Sequence, residues 1–114
     1  METAQPTPST AERVLLINPF TVFDGHEDAF FELWDQTSAI FRAKPGYLSA
    51  RLVRALADQP PGLRAPYTHI NVSEWKSAAS YATALKDPEL KKLGPAYARV
   101  CTFRPALYQV LRDV

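Results

Sequence analysis

The chain of 114 residues contains one cysteine, Cys101. No disulfide can form within it, and no cysteine set for zinc or an iron–sulfur cluster exists. Charge of either sign is not in excess: 13 Lys and Arg are mixed with 12 Asp and Glu. Without a basic stripe, nucleic acid is not an expected partner. No apolar run approaches the ~18 residues of a membrane span, and the N-terminus has neither the basic nor the apolar region of a secretory signal. Together these absences predict a cytoplasmic protein in a reducing setting, with no membrane contact. Glycine is also sparse. Gly25, Gly46, Gly62 and Gly94 lie scattered, so no glycine-rich phosphate loop is present. A nucleophile elbow and a zinc-protease motif are missing too.

What is present suits one globular domain. The length allows one domain, and an apolar share of 46% lies in the globular range. Residues 1–12, rich in Pro, Thr, Ser and Ala, carry no apolar period and read as an unstructured tail. The domain is then expected over residues 13–114.

Residues 14–22 are apolar and β-rich, with Pro19 requiring an edge or a bulge. Asp24 and Glu27 have capping-box spacing, and Phe30, Leu33, Trp34, Thr37 and Phe41 form a helical stripe. A first helix is predicted over residues 26–43, stopped by Lys44-Pro45-Gly46. A second strand follows over 47–56. Next comes a loop over 57–66 with three prolines and a glycine, either a cover for a site or a variable connection. A third strand spans 67–75. Ala78, Tyr81, Ala82 and Leu85 mark a second helix. Asp87-Pro88 starts a shorter one, with Asp as N-cap and Pro at N1, disturbed at Gly94-Pro95. A last strand is expected over 100–114, with a bulge or edge at Pro105. The order β-α-β-β-α-β is a ferredoxin-like α+β plan: a four-stranded antiparallel sheet with both helices on one face. Strands apolar on both faces predict a homodimer with sheets packed face to face.

The third strand carries the clearest chemical signal. Alternation puts Tyr67, His69, Asn71, Ser73 and Trp75 on one side, and all five side chains can hydrogen-bond. If that side looks toward the helices it lines a pocket, which Tyr81 can reach; otherwise it faces solvent. His69 can be a base, a metal or haem ligand, or a hydrogen-bonded structural residue. No second ligand stands at a suitable spacing, so no metal is expected. His26 falls in the capping turn. Asn18 either orients a substrate or satisfies backbone left unpaired beside Pro19. Trp34 reads as core or pocket wall, and Cys101 as a small buried residue.

The stretches NPFTVFDGHEDAFFELW, KPGYLSARL and NVSEWKSAASY, within residues 13–104, resemble the antibiotic biosynthesis monooxygenase family. The Pro-Gly-aromatic turn and the Asn-x-x-x-Trp-x-Ser block are the most specific pieces, and they mark the superfamily better than any one activity. The resemblance implies a dimeric α+β barrel. In the quinone-forming branch, which uses no metal, flavin or haem, the site follows Asn-x-x-x-Trp-x-x-x-x-x-Tyr. Asn71, Trp75 and Tyr81 stand at those positions, and Lys91, after a one-residue gap, stands where that branch has an arginine. The haem-degrading branch needs an Asn on the first strand, a Trp in the second helix and an axial His ten residues later. Asn18 matches the first, but Ala84 and Gly94 occupy the other two places, so haem is not expected.

The resemblance therefore implies a cofactor-free monooxygenase with O2 as co-substrate, turning a polycyclic phenolic, anthrone-like polyketide intermediate into a quinone. Asn71 and Trp75 would donate to a developing oxyanion and Tyr81 would move a proton. His69, Tyr67, Asn18, Trp34 and Lys91 would contact the aromatic substrate. Two other readings stay open: a polyketide-type cyclase or isomerase, and a non-catalytic small-molecule binding module on the same fold.

Overall fold

Alternating apolar residues in Val14–Val22 form β1, the strand on which the sheet is organised. The computed structural model describes residues 12–114, so the tail expected over residues 1–12 lies almost wholly outside the described residues. After β1 come α1 (Glu27–Arg42), β2 (Tyr47–Arg54), β3 (His69–Trp75), α2 (Ala78–Ala84), α3 (Pro88–Val100), β4 (Cys101–Phe103) and β5 (Ala106–Tyr108). The antiparallel sheet runs β2-β3-β1-β4, and β5 also pairs with β1.

Register decides which side chains meet. Val14 pairs with Trp75, Leu16 with Ser73, Asn18 with Asn71 and Phe20 with His69, so these eight share one face. The helices cover that face, and Leu16, Phe20 and Trp75 are buried there. The core has two clusters. Phe20, Val22, Phe30, Leu33, Val100 and Cys101 form one; Val14, Leu16, Trp75, Tyr81 and Ala84 form the other. Asn18 lies between Leu16 of one cluster and Phe20 of the other, so the paired amides mark the gap in the apolar packing.

Two turns hold the helices against this face. Gly46 ends the first crossover with φ +90, a left-handed conformation that favours glycine. A Cβ there would meet the Ser80 side chain. Ser77 caps α2 by accepting from the Ser80 amide at 3.0 Å, and Asp87 caps α3 by accepting from the Glu89 amide at 2.8 Å. Lys44 pairs with Asp87, joining the end of α1 to the start of α3.

Several boundaries differ from the sequence reading. The N-cap of α1 is His26, not Asp24, without a side-chain capping bond; Glu27 is thus the first helical residue and not the third as a capping box needs, and its carboxylate meets His69 and Arg54. β3 starts at His69, so Tyr67 stays in the preceding loop; Thr68 instead ties the loop to β1, its amide donating to the Phe20 carbonyl at 3.0 Å. α3 continues through Gly94-Pro95 to Val100. Pro95 costs it one i→i−4 bond, but Leu93, Ala96 and Tyr97 pack on the core and hold the helix together. The last strand, expected over 100–114, is split around Arg104-Pro105 into β4 and β5 and ends at Tyr108. The sheet therefore has five strands where four were expected. No helix among the described residues is long and apolar enough to cross a membrane.

Candidate functional site

A cavity of about 220 Å³ lies between the sheet and the three helices. β1 contributes Leu16, Asn18 and Phe20 to its wall, and β3 contributes Asn71, Ser73 and Trp75. Trp34, Thr37 and Phe41 come from α1, Tyr81 from α2, and Leu90, Gly94 and Tyr97 from α3. The wall is aromatic and carries no charged side chain. No histidine or cysteine reaches it, and no group of three or more His, Cys, Asp or Glu among the described residues is placed to hold a metal.

Polarity enters through the amides. Asn71 Oδ1 accepts from Trp34 Nε1 at 3.1 Å. An indole nitrogen only donates, so the Asn71 amide can face it only with its oxygen. Its amino group is left to donate elsewhere. Directly across the strand pair is Asn18, whose Oδ1 is buried with no partner among the described residues. Buried polar atoms are rarely left unpaired, and one beside a cavity is a vacancy a ligand atom can fill.

Trp75 is completely buried. Its ring meets Phe41, Tyr47 and Tyr81 edge-on at 5.4, 5.6 and 5.4 Å. Its indole N–H, expected to be free for an oxyanion, donates to Ser73 Oγ at 3.2 Å, so the geometry gives Trp75 the part of a wall. Burial pushes the Tyr81 phenol up to about 12, so it keeps its proton near pH 7. Tyr97 is also raised to about 12 by burial, and its hydroxyl lies 2.6 Å from Thr37 Oγ1.

Asn18, Trp34, Asn71, Trp75 and Tyr81 are therefore brought to one cavity. His69, Tyr67 and Lys91 are not among its walls. His69 shares the inner face but lies past Phe20 and Phe30, whose rings meet at 4.8 Å and fill the space between. It is only 4% exposed, with Nε2 2.7 Å from Glu27 Oε2 and Nδ1 2.8 Å from Thr68 Oγ1. Hydrogen bonds from Arg54 and then His69 hold the Glu27 carboxyl below its usual range. Tyr67 and the loop over 57–66 border a separate open cleft with His69, so they do not cover the cavity. Lys91 is exposed: α3 turns Leu90, Gly94 and Tyr97 inward at i, i+4 and i+7, and Lys91 lies one residue off that stripe. Tyr97 and Phe103 were missed as wall residues. The spacing Leu90-Gly94-Tyr97 was legible, but Gly94-Pro95 reads as a helix break and hides it.

Among solved structures, SnoaB, a cofactor-independent oxygenase from Streptomyces nogalater, superposes with a TM-score of 0.77 at 22% identity, covering 91% of this chain and 98% of that one. A provisionally assigned monooxygenase from Shewanella loihica PV-4 is 32% identical, with a TM-score of 0.70 and coverage of 92% and 100%. MhuD, in a mutant form with two manganese protoporphyrin IX molecules per active site, reaches a TM-score of 0.65 at 17% identity, covering 89% and 97%. No curated protein sequence matches the chain. The family profile described as antibiotic biosynthesis monooxygenase matches residues 13–94. This match, on an α+β fold shared with those structures, means that the chain belongs to the antibiotic biosynthesis monooxygenase family.

Proposed function

We propose that the chain is a cofactor-independent monooxygenase that oxidises a compact polycyclic phenol of the anthrone class to a quinone with O2. The observation that carries this reading is the amide pair. Asn71, committed to donating by Trp34, faces Asn18 across two strands inside an uncharged aromatic cavity. The flat walls suit a flat substrate. The likeness to SnoaB supports the absence of a cofactor. MhuD holds a porphyrin on the same fold, but neither histidine of this chain lines the cavity to ligate a haem iron, and Gly94 brings no side chain to its wall.

The chemistry starts with loss of a proton from the substrate, giving a delocalised anion. With no carboxylate or imidazole in the wall, water takes that proton. The Asn71 amino group donates to the developing oxyanion and favours ionisation. The electron-rich anion passes one electron to O2, and the two radicals combine into a carbon-bound peroxide. Tyr81, protonated at neutral pH, gives a proton to the distal peroxide oxygen. The O–O bond breaks as the remaining C–H proton passes to the departing hydroxide, water leaves and a carbonyl forms; the proton released to water in the first step returns to Tyr81. One oxygen atom ends in the quinone and the other in water.

The same reading includes a homodimer. The sheet face away from the helices carries Leu15, Ile17, Pro19, Val53, Ile70 and Val72, which register places together, with Arg51 and Glu74 toward one end. Packing two such faces would remove an apolar surface from water.

Oxygen uptake by metal-stripped protein with anthrone tests the proposal. A rate above background that scales with protein supports it. A product isomeric with the substrate and no oxygen uptake would instead select a cyclase or isomerase, and binding without turnover a ligand-carrying module.

A further inference from the structure

Thr37 and Tyr97 constrain the ligand in a way the amides do not. Thr37 Oγ1 lies 2.9 Å from the Leu33 carbonyl oxygen and 2.6 Å from Tyr97 Oη. A carbonyl only accepts, and a threonine hydroxyl has a single proton. Both bonds exist together in one arrangement only: Thr37 donates to Leu33, and Tyr97 donates to Thr37. At neutral pH the Tyr97 phenol has its proton to give, since burial raises it to about 12. The ring is held in place by Phe20, with centroids 6.5 Å apart, and by Phe103 at 6.0 Å. The proton of Tyr97 is therefore used between two helices, and its oxygen is left with lone pairs alone. Trp34 does the converse to Asn71, taking its oxygen and leaving its amino group. The cavity thus has at one pole a Tyr97 oxygen that only accepts, and at the other an Asn71 amino group that only donates, beside the unpaired Asn18 oxygen.

We infer that Tyr97 is a specificity-determining residue that accepts a hydrogen bond from a hydroxyl of the substrate, with Thr37 as the positioning residue that commits it to accepting. The matching substrate class is a hydroxylated aromatic ketone, its carbonyl at the amide pole and its hydroxyl at the α3 pole. An analogue with a carbonyl or ether oxygen at that second pole would set lone pair against lone pair and be disfavoured. The inference rests on the cavity being the substrate site and adds the position of a second polar group to that reading.

The test uses two probes, 2-hydroxyanthraquinone and 9,10-anthraquinone, titrated in mildly acidic buffer where the probe hydroxyl keeps its proton. Binding is followed by quenching of tryptophan fluorescence, because Trp34 and Trp75 both line the cavity. The wild-type chain is expected to bind the hydroxylated probe about tenfold more tightly, the worth of one well-placed hydrogen bond. Tyr97→Phe and Thr37→Val should bring that ratio to within about twofold, and Thr37→Ser should restore it. Asn71→Ala should weaken both probes and keep the ratio. Each variant is scored by a ratio, so a partial loss of folded protein cancels. An unchanged ratio in Tyr97→Phe or Thr37→Val, or equal binding of the probes by the wild type, overturns the inference and leaves the amide reading standing. If neither probe quenches the wild type, the cavity reading itself fails.

Discussion

Asn71 is held on one side by Trp34 and opens on the other into a cavity with no competing charge. Replacing it with alanine removes the donor that the proposed mechanism directs at the developing oxyanion. Loss of one such donor costs roughly 10²–10³ in kcat, and steady-state oxygen uptake reads it directly. Trp34→Phe should lower kcat without unfolding the chain, since it frees the amide to rotate but keeps an aromatic wall. Near-ultraviolet circular dichroism separates that outcome from unfolding. The phenols make a further prediction. Burial raises Tyr81 and Tyr97 from 10.0 to about 12, so folding favours their neutral forms. Their contribution to stability is complete below pH 10.0 and is lost as pH rises through about 12. Tyrosinate absorbance and unfolding should therefore rise together in that window, and early ionisation of all five tyrosines in folded protein would contradict it.

Among the elements, α1 depends on both of its ends. At its start Glu27 accepts from Arg54 at 2.9 and 3.1 Å and lies 2.7 Å from His69, linking the helix to β2 and β3. Its carboxyl is held below the ordinary 4.5. The stability it supplies is present above 4.5 and is lost as pH falls through the lowered folded value. Glu27→Gln should lower the Tm at neutral pH, and the gap from wild type should narrow as pH drops below 4.5. At the other end, Gly46→Ala places a Cβ at φ +90 against Ser80. Backbone strain alone costs about 1–3 kcal/mol there, and chemical denaturation should show at least that loss.

These elements also show what the sequence could reveal. Alternation in β3 put Asn71, Ser73 and Trp75 on one face, and the structure turns that face toward the helices as one of the two readings required. Asp87-Pro88 was readable as a cap because its signal is local. His69 was misleading because alternation fixes a face but not a position along it; two phenylalanines from other elements divide the inner face into cavity and cleft. Tyr97 escaped because Pro95 predicts a break, and only packing from β1 and α1 keeps the helix going. Trp75 matched a family pattern, yet the partner of its N–H, Ser73 two residues away, was visible only in three dimensions.

For the whole molecule, the proposed face-to-face dimer and the cavity make separate demands. The outer sheet face is apolar around Ile70, whose register neighbours are Pro19 and Val53, and burying a charge there is costly. Ile70→Glu should convert a species of twice 12.8 kDa into a monomer by light scattering; a wild type that is already monomeric would refute the dimer and leave the cavity untouched. The central claim is that this cavity adds an oxygen atom without a cofactor. Turnover of anthrone by metal-stripped protein under ¹⁸O₂, analysed by mass spectrometry, tests it most directly. The account predicts one labelled oxygen in the anthraquinone, formed faster than background and lost in Asn71→Ala. An unlabelled product, or equal labelling by wild type and Asn71→Ala at the background rate, would contradict it.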